Sequence, residues 1–362
     1  MAETPAPLPA RTMGALVIRR HGGPDVLEWD EALPRPEAGP RQVLVRVEAC
    51  GLNHLDLYTR REGHPARPLE FPHALGNEPV GVVETAGPDA PGELVGRRVV
   101  VAPGYLSEFH ADRSGWDARH ADYRVLGHQG PGGYAEYLVA LAENVIPVSD
   151  RWSAEEWAAT PLVFLTAWHM LVGRARVRPG ETVLVMAAGS GVGSSAVQIA
   201  RHLGCRVVAT AGTPEKLERA RELGAHETVQ HYQADWPRRV RELTGGVDVV
   251  VEHVGEEVFS KAVSTLAYGG RLVTCGATTG IRAGILLNHL FAKQLSLLGS
   301  YMGDFAELRE VLALLEAGHL RPVVDRVFPV RDGAEAHRRL EAGEHFGKIV
   351  LRHGGDPPAR SR

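Results

Sequence analysis

Over residues 182–200 the chain reads TVLVMAAGSGVGSSAVQIA. An apolar run of strand length passes into a glycine-rich turn and then into a helix-forming segment. That order constrains the fold more than any other stretch. Glycine lets such a turn close tightly and lets backbone N–H groups approach a pyrophosphate, which the start of the helix then favours electrostatically. The turn consists of Gly189, Ser190, Gly191, Val192 and Gly193, and these five are the candidate cofactor cradle. A glycine string alone also fits a tight turn with no ligand; the strand before it and the helix after it point to a nucleotide site.

The same alternation continues downstream. RVVATA (206–211) leads to PEKLERARELG, VDVVVEHVG (247–255) precedes another helical segment, and RLVTCGA (271–277) follows. Near-continuous apolar strands separated by helices of about 10–15 residues predict an α/β domain with a doubly wound parallel sheet. From Met13 to about Asp150 the texture differs. Short β-branched runs such as QVLVRVEAC and RRVVVAP are punctuated by Gly and Pro, which reads as a strand-rich domain with long loops.

The expected division is a 1–12 extension, a strand-rich domain over 13–150, a nucleotide-binding domain over 151–300, and a tail over 355–362. A length of 362 residues accommodates two domains. With a net charge of −4 and no apolar run of about 18–20 residues, nucleic-acid, anionic-membrane and membrane-spanning roles have no support. MAETPAPLPARTM lacks the apolar centre of a signal peptide, and three scattered cysteines make no disulfide framework. A cytoplasmic protein is expected.

The choice of dinucleotide turns on residues about 20 positions beyond the first glycine, where an NAD site usually places an acid. Here stand Ala209, Thr210, Ala211 and Gly212, with Lys216 in the next turn and Arg219 behind it. Small residues and a following lysine favour NADPH, with its 2′-phosphate; a lysine on a helix surface is also simply a solvated charge.

ACGLNHLDLY, ALGNEPVGVVETAG, GGYAEYLVA, PLVFLTAWHML and FGKIVL, taken with the glycine turn, resemble the medium-chain dehydrogenase/reductase superfamily over nearly the whole chain. The resemblance implies a GroES-like, mostly β catalytic domain, completed by residues of about 301–354, around a central Rossmann domain. The nicotinamide would lie between them.

The superfamily has a zinc branch and a zinc-free branch of quinone and enone reductases. At the three catalytic zinc-ligand positions of the first branch this chain carries Asn53, Asn77 and Leu162. Zinc prefers thiolate, imidazole and carboxylate, so no catalytic metal is expected. Cys50, three residues before Asn53, reads as a small buried hydrophobe.

The segment FHADRSGWDARHAD (109–122) occupies the place of the zinc branch's structural lobe. Asp112 and His120 keep the spacing of its last two ligands, but Leu106 and Phe109 fall at the first two. A metal-free polar loop is expected, with a site from His110, Asp112, His120 and Asp122 as the alternative.

By the same resemblance, Asn53 would contact the nicotinamide ribose or carboxamide. Tyr58 would donate a hydrogen bond to substrate, or else be a packed interface aromatic. Thr166 and Gly276 would lie near the nicotinamide, Tyr232 near the 2′-phosphate, and Lys348 would reach the cofactor. His54 and His128 are possible proton relays, although a lone histidine is usually structural. The retained Glu78 would tie its loop down through hydrogen bonds.

The expected activity is NADPH-dependent, zinc-independent hydride transfer to a quinone or α,β-unsaturated carbonyl. Alternatives are an alcohol dehydrogenase with unusual zinc ligation and a nucleotide-binding sensor. The segment QLSLLGSYMG (294–303) reads as an apolar edge strand, which predicts a homodimer or homotetramer.

Overall fold

The computed structural model describes residues 11–63, 68–107 and 120–354. The expectations for both termini, and for His110 and Asp112 in the lobe, lie outside these residues.

Six parallel strands form the central sheet: Thr182–Val185, Arg206–Ala211, Glu227–Gln230, Val247–Glu252, Leu266–Thr274 and Ser296–Gly299. Numbered by appearance, they lie in the order third, second, first, fourth, fifth, sixth. Strand order therefore reverses between the first and fourth strands, and ligands of such sheets bind beyond the strand C-termini at that reversal. Val183, Leu184, Val185, Val249, Val250 and Val251 are wholly buried, because helices cover both faces.

One helix, Gly191–His202, starts directly from the glycine turn. A Cβ on Gly193 would lie 2.3 Å from the Ala187 carbonyl oxygen, so only glycine lets the helix pack this close to the first strand. Ser190 caps the helix, its Oγ accepting from the Gly193 N–H at 2.8 Å.

The N-terminal region builds an antiparallel sheet around Gln42–Gly51 and Glu78–Ala86. The strand Lys348–Arg352 joins it antiparallel, with Val350 opposite Gly51, and carries Val324–Pro329 on its other side. The end of the chain thus completes the sheet begun at its start. Both predicted architectural layers, the Rossmann-type sheet and the GroES-like sheet, are present. Among the described residues, no helix is long and apolar enough to cross a membrane.

At the far edge, Ser296–Gly299 pairs, among the described residues, with Leu266–Thr274 alone. The segment before it exposes Ile281, Leu286, Leu287 and Phe291.

Candidate active site

A cleft of about 310 Å³ opens where the two sheets meet at the strand-order reversal, its walls supplied by both domains. A larger hollow of about 830 Å³, lined by Met13, Tyr105 and Leu138 among others, shares no residue with the glycine turn. The smaller cleft is the candidate site because it joins that turn to the matched motifs.

The cleft brings together Asn53, Tyr58, Thr166, Ser190, Gly191, Val192, Gly276 and Lys348. Thr166 is buried on the helix Pro161–Trp168. Among the described residues, the N–H groups of Gly191 and Val192 have no hydrogen-bond acceptor, leaving two donors at a helix start. A Cβ on Gly191 would lie 2.8 Å from Val163 Cγ1 and from Lys348 Cδ. The turn therefore fits a closely held phosphate, as a nicotinamide dinucleotide requires.

The retained glutamate has a definite place. Glu78 and Lys348 are 0% and 4% exposed, and Lys348 Nζ stands 2.6 Å from Glu78 Oε2. The same ammonium donates to Asn53 Oδ1 and to the Leu52 carbonyl, each at 2.6 Å. Asn53 Nδ2 donates to Glu78 Oε2 at 2.9 Å. The other carboxylate oxygen, Oε1, accepts from the Leu162 N–H at 2.6 Å, which a negative charge at a helix start favours. Glu78 thus pins the Asn53 segment, the helix at Leu162 and the C-terminal strand. Lys348 lines the cleft as expected, but its Nζ is committed to this network.

These residues do not fit a catalytic zinc. Asn53 uses both ends of its amide, Leu162 offers only a backbone N–H already bonded to Glu78, and an ammonium stands among them. The Asn77 Nδ2 donates to the Leu126 carbonyl, and its buried Oδ1 has no partner among the described residues; one amide oxygen is no zinc site. Among the described residues, no three of His, Cys, Asp and Glu come together as a metal-holding group. In the lobe, His120 Nδ1 lies 3.9 Å from Asp122 Oδ2.

Burial sets the remaining electrostatics. Asp56 accepts from the Asn53 and Gly76 N–H groups, yet burial raises its pKa to about 7. His54 on the cleft wall is lowered to about 4, first by burial and then by Lys348 and Arg61, so it is neutral at physiological pH. His128 is buried against Thr59 Oγ1 at 2.7 Å, away from the cleft lining. Cys50 is enclosed, and burial pushes its thiol well up.

Gly189, Gly212, Lys216 and Tyr232 lie outside the cleft lining. A Cβ on Gly189 would stand 3.1 Å from Lys216 Cδ, and one on Gly212 would stand 2.6 Å from the Tyr232 ring. Tyr232 is 76% exposed, and Lys216 Nζ donates to the Gly343 carbonyl at 2.6 Å. Gly212 directly follows the second strand, Lys216 lies on the helix after it, Gly189 follows the first strand and Tyr232 the third.

Sequence reasoning missed several lining residues: His253, Cys275, Thr278, Tyr301, Met302 and His345. His253 and Cys275 directly follow the fourth and fifth strands. The rule that ligands sit at strand C-termini would have flagged both.

Comparison with known proteins gives this geometry its family. A model described as alcohol dehydrogenase GroES-like domain matches residues 39–150, and one described as zinc-binding dehydrogenase matches 191–317. The chain is 34% identical to quinone oxidoreductase of Pseudomonas aeruginosa, over 91% of this chain and 97% of that one. It is 30% identical to human quinone oxidoreductase (94% and 98% covered) and 32% identical to a 2-haloacrylate reductase of Burkholderia sp (93% and 98%).

Among solved structures, an NAD-dependent alcohol dehydrogenase superposes with a TM-score of 0.90 at 46% identity, covering 94% of this chain and 100% of that one. A crotonyl-CoA carboxylase/reductase in complex with NADP gives 0.84 at 28% identity, covering 94% and 95%. The chain belongs to the medium-chain dehydrogenase/reductase superfamily and is an oxidoreductase with a nicotinamide cofactor.

Proposed function

We propose that the protein is an NADPH-dependent, zinc-independent reductase of quinones or α,β-unsaturated carbonyls. The observation that carries the reading is the buried Lys348–Glu78–Asn53 network, which binds up two of the positions where a catalytic zinc would need its ligands: Asn53 through both ends of its amide and Leu162 through its N–H. Without a Lewis acid at the reacting oxygen, an alcohol loses its proton poorly. A conjugated acceptor instead spreads charge as hydride arrives. Relatives named quinone oxidoreductase and 2-haloacrylate reductase support that acceptor class.

When bound, the nicotinamide supplies the hydride. The protein's share is placement and charge. Asn53, fixed at both ends, presents a rigid surface to the cofactor. Tyr58, on the cleft wall and 41% exposed, is placed to give its O–H to the acceptor oxygen. His54, neutral and on the same cleft wall, is a relay candidate. Leu55, Leu162, Tyr301 and Met302 supply an apolar wall that limits water.

The 2′-phosphate reading rests on the acid-free end of the second strand and on Lys216. The similar structures include one named for NAD dependence and one holding NADP, so this residue-level argument decides the proposal. We also propose a homodimer or homotetramer through the open edge at Ser296–Gly299, supported by the apolar residues exposed beside it. Light scattering tests it: a single monomer at micromolar concentration would contradict the assembly.

The functional test is oxidation of NADPH and of NADH against a panel of quinones, enones and simple aldehydes. Turnover of the conjugated acceptors with NADPH is expected. Activity confined to aldehydes, or faster with NADH throughout, would contradict the reading.

A further inference from the structure

Ser190 follows the first strand of the parallel sheet and His253 follows the fourth, so the two meet across the strand-order reversal. Ser190 Oγ lies 2.7 Å from His253 Nε2 and also accepts from the Gly193 N–H. The other ring nitrogen, His253 Nδ1, is buried and has no hydrogen-bond partner among the described residues. Leaving such a group unpaired is costly, and both residues line the cofactor cleft.

Burial lowers the His253 pKa to about 4, with His54 and His231 adding repulsion, so the ring is neutral at physiological pH. A neutral imidazole has one donor and one acceptor. If Ser190 gives its proton to Nε2, then Nδ1 carries a hydrogen and needs an acceptor. If Nε2 donates to Ser190, then Nδ1 needs a donor. A sugar hydroxyl answers either state.

The adenine end is marked by Gly212 and Lys216, on the second strand and helix, to the other side of the first strand. His253 stands across the reversal, beside Gly276, whose added Cβ would lie 2.8 Å from the His253 carbonyl oxygen.

We propose that His253 Nδ1 binds a ribose hydroxyl of the nicotinamide half of the dinucleotide, with Ser190 setting the ring. The inference rests on the nicotinamide reading but not on the choice of NADPH. Each dinucleotide is therefore compared with its own adenine half: NADPH with 2′,5′-ADP, and NADH with ADP, by calorimetry on the full chain.

His253→Ala should weaken both dinucleotides about tenfold, the range of one lost hydrogen bond, and leave both adenine halves unchanged. Retained binding of the halves also reports an intact fold. Ser190→Ala, which uncaps the helix as well, should weaken dinucleotides and halves together. Equal weakening of halves and dinucleotides by His253→Ala would make the residue merely structural and overturn the proposal, as would no effect on either. A parent protein that binds no dinucleotide more tightly than its half would overturn it together with the nicotinamide reading. A mere reversal of NADPH and NADH preference would contradict the NADPH proposal alone.

Discussion

Around Lys348, Asn53 and Glu78 the bonds among ammonium, amide and carboxylate are formed before any ligand arrives, and all three side chains are buried. At Gly212, Lys216 and Tyr232 the surface is open, with Tyr232 largely in solvent and Lys216 held by one carbonyl of the other domain. In the function proposed above, the contrast separates two tasks. The first region would hold reacting groups in advance, at the cost of burying charge. The second would select a 2′-phosphate by charge and space, and would need little prior order.

The sharpest way to break this contrast is to unpair the buried end. Lys348→Met leaves Glu78 enclosed without its cation and should cost about 3–5 kcal/mol of stability in urea denaturation. Adding Glu78→Gln should recover part of the loss. If Lys348→Met is neutral in stability, the network is not the rigid element described. The same experiment at the open end should show nothing, since Lys216→Ala removes no buried partner.

The open end should respond in affinity instead. Lys216→Ala should weaken NADPH by about 1–3 kcal/mol, the range for a charge-assisted bond, and barely change NADH. Similar losses for both cofactors would assign Lys216 to domain packing through Gly343. Between the two regions, Tyr58→Phe keeps the ring and removes the donor. It should lower kcat about tenfold with little change in cofactor binding; an unchanged kcat would leave Tyr58 as a packed interface aromatic.

The smallest expected effect is a dependence on pH. His54, His253 and His345 are each lowered to about 4 in the folded protein, by burial first. Their unfolded forms protonate near 6.5, so between about 6.5 and 4 the unfolded chain binds more protons and stability falls as pH falls. Asp56, raised to about 7, opposes this: between about 4 and 7 it is protonated mainly in the folded state, which favours folding at lower pH. His73, His226, His231, His337 and His353 are lowered as well, and Glu252 is raised as Asp56 is; the histidines outnumber the carboxyls, so Tm should drop by about 5 °C from pH 7 to pH 5. A Tm that rises over that range would mean the carboxyls dominate.

Much of the frame was legible in the sequence. The apolar runs around TVLVMAA and VDVVVEHVG announce parallel strands, and Gly193 announces a close helix contact, because both signals are local. The missing ligands were legible at Asn53, Asn77 and Leu162 through the matched motifs. What replaced them was not. Asn53 and Lys348 lie 295 residues apart in the chain, and only the antiparallel pairing of the last strand with Gln42–Gly51 brings them together. Sequence motifs gave Lys348 to the cofactor, whereas its Nζ holds Glu78. The Ser190–His253 contact depends likewise on the order of strands, which periodicity does not report.

The function proposed for this cleft is hydride transfer with its own buried ion pair and no metal. Its most direct test is to measure NADPH-dependent quinone or enone reduction, together with zinc content by elemental analysis, before and after exhaustive chelation. Unchanged turnover with no stoichiometric zinc is the predicted result. About one zinc per chain, with activity lost on its removal and restored on its return, would contradict the account.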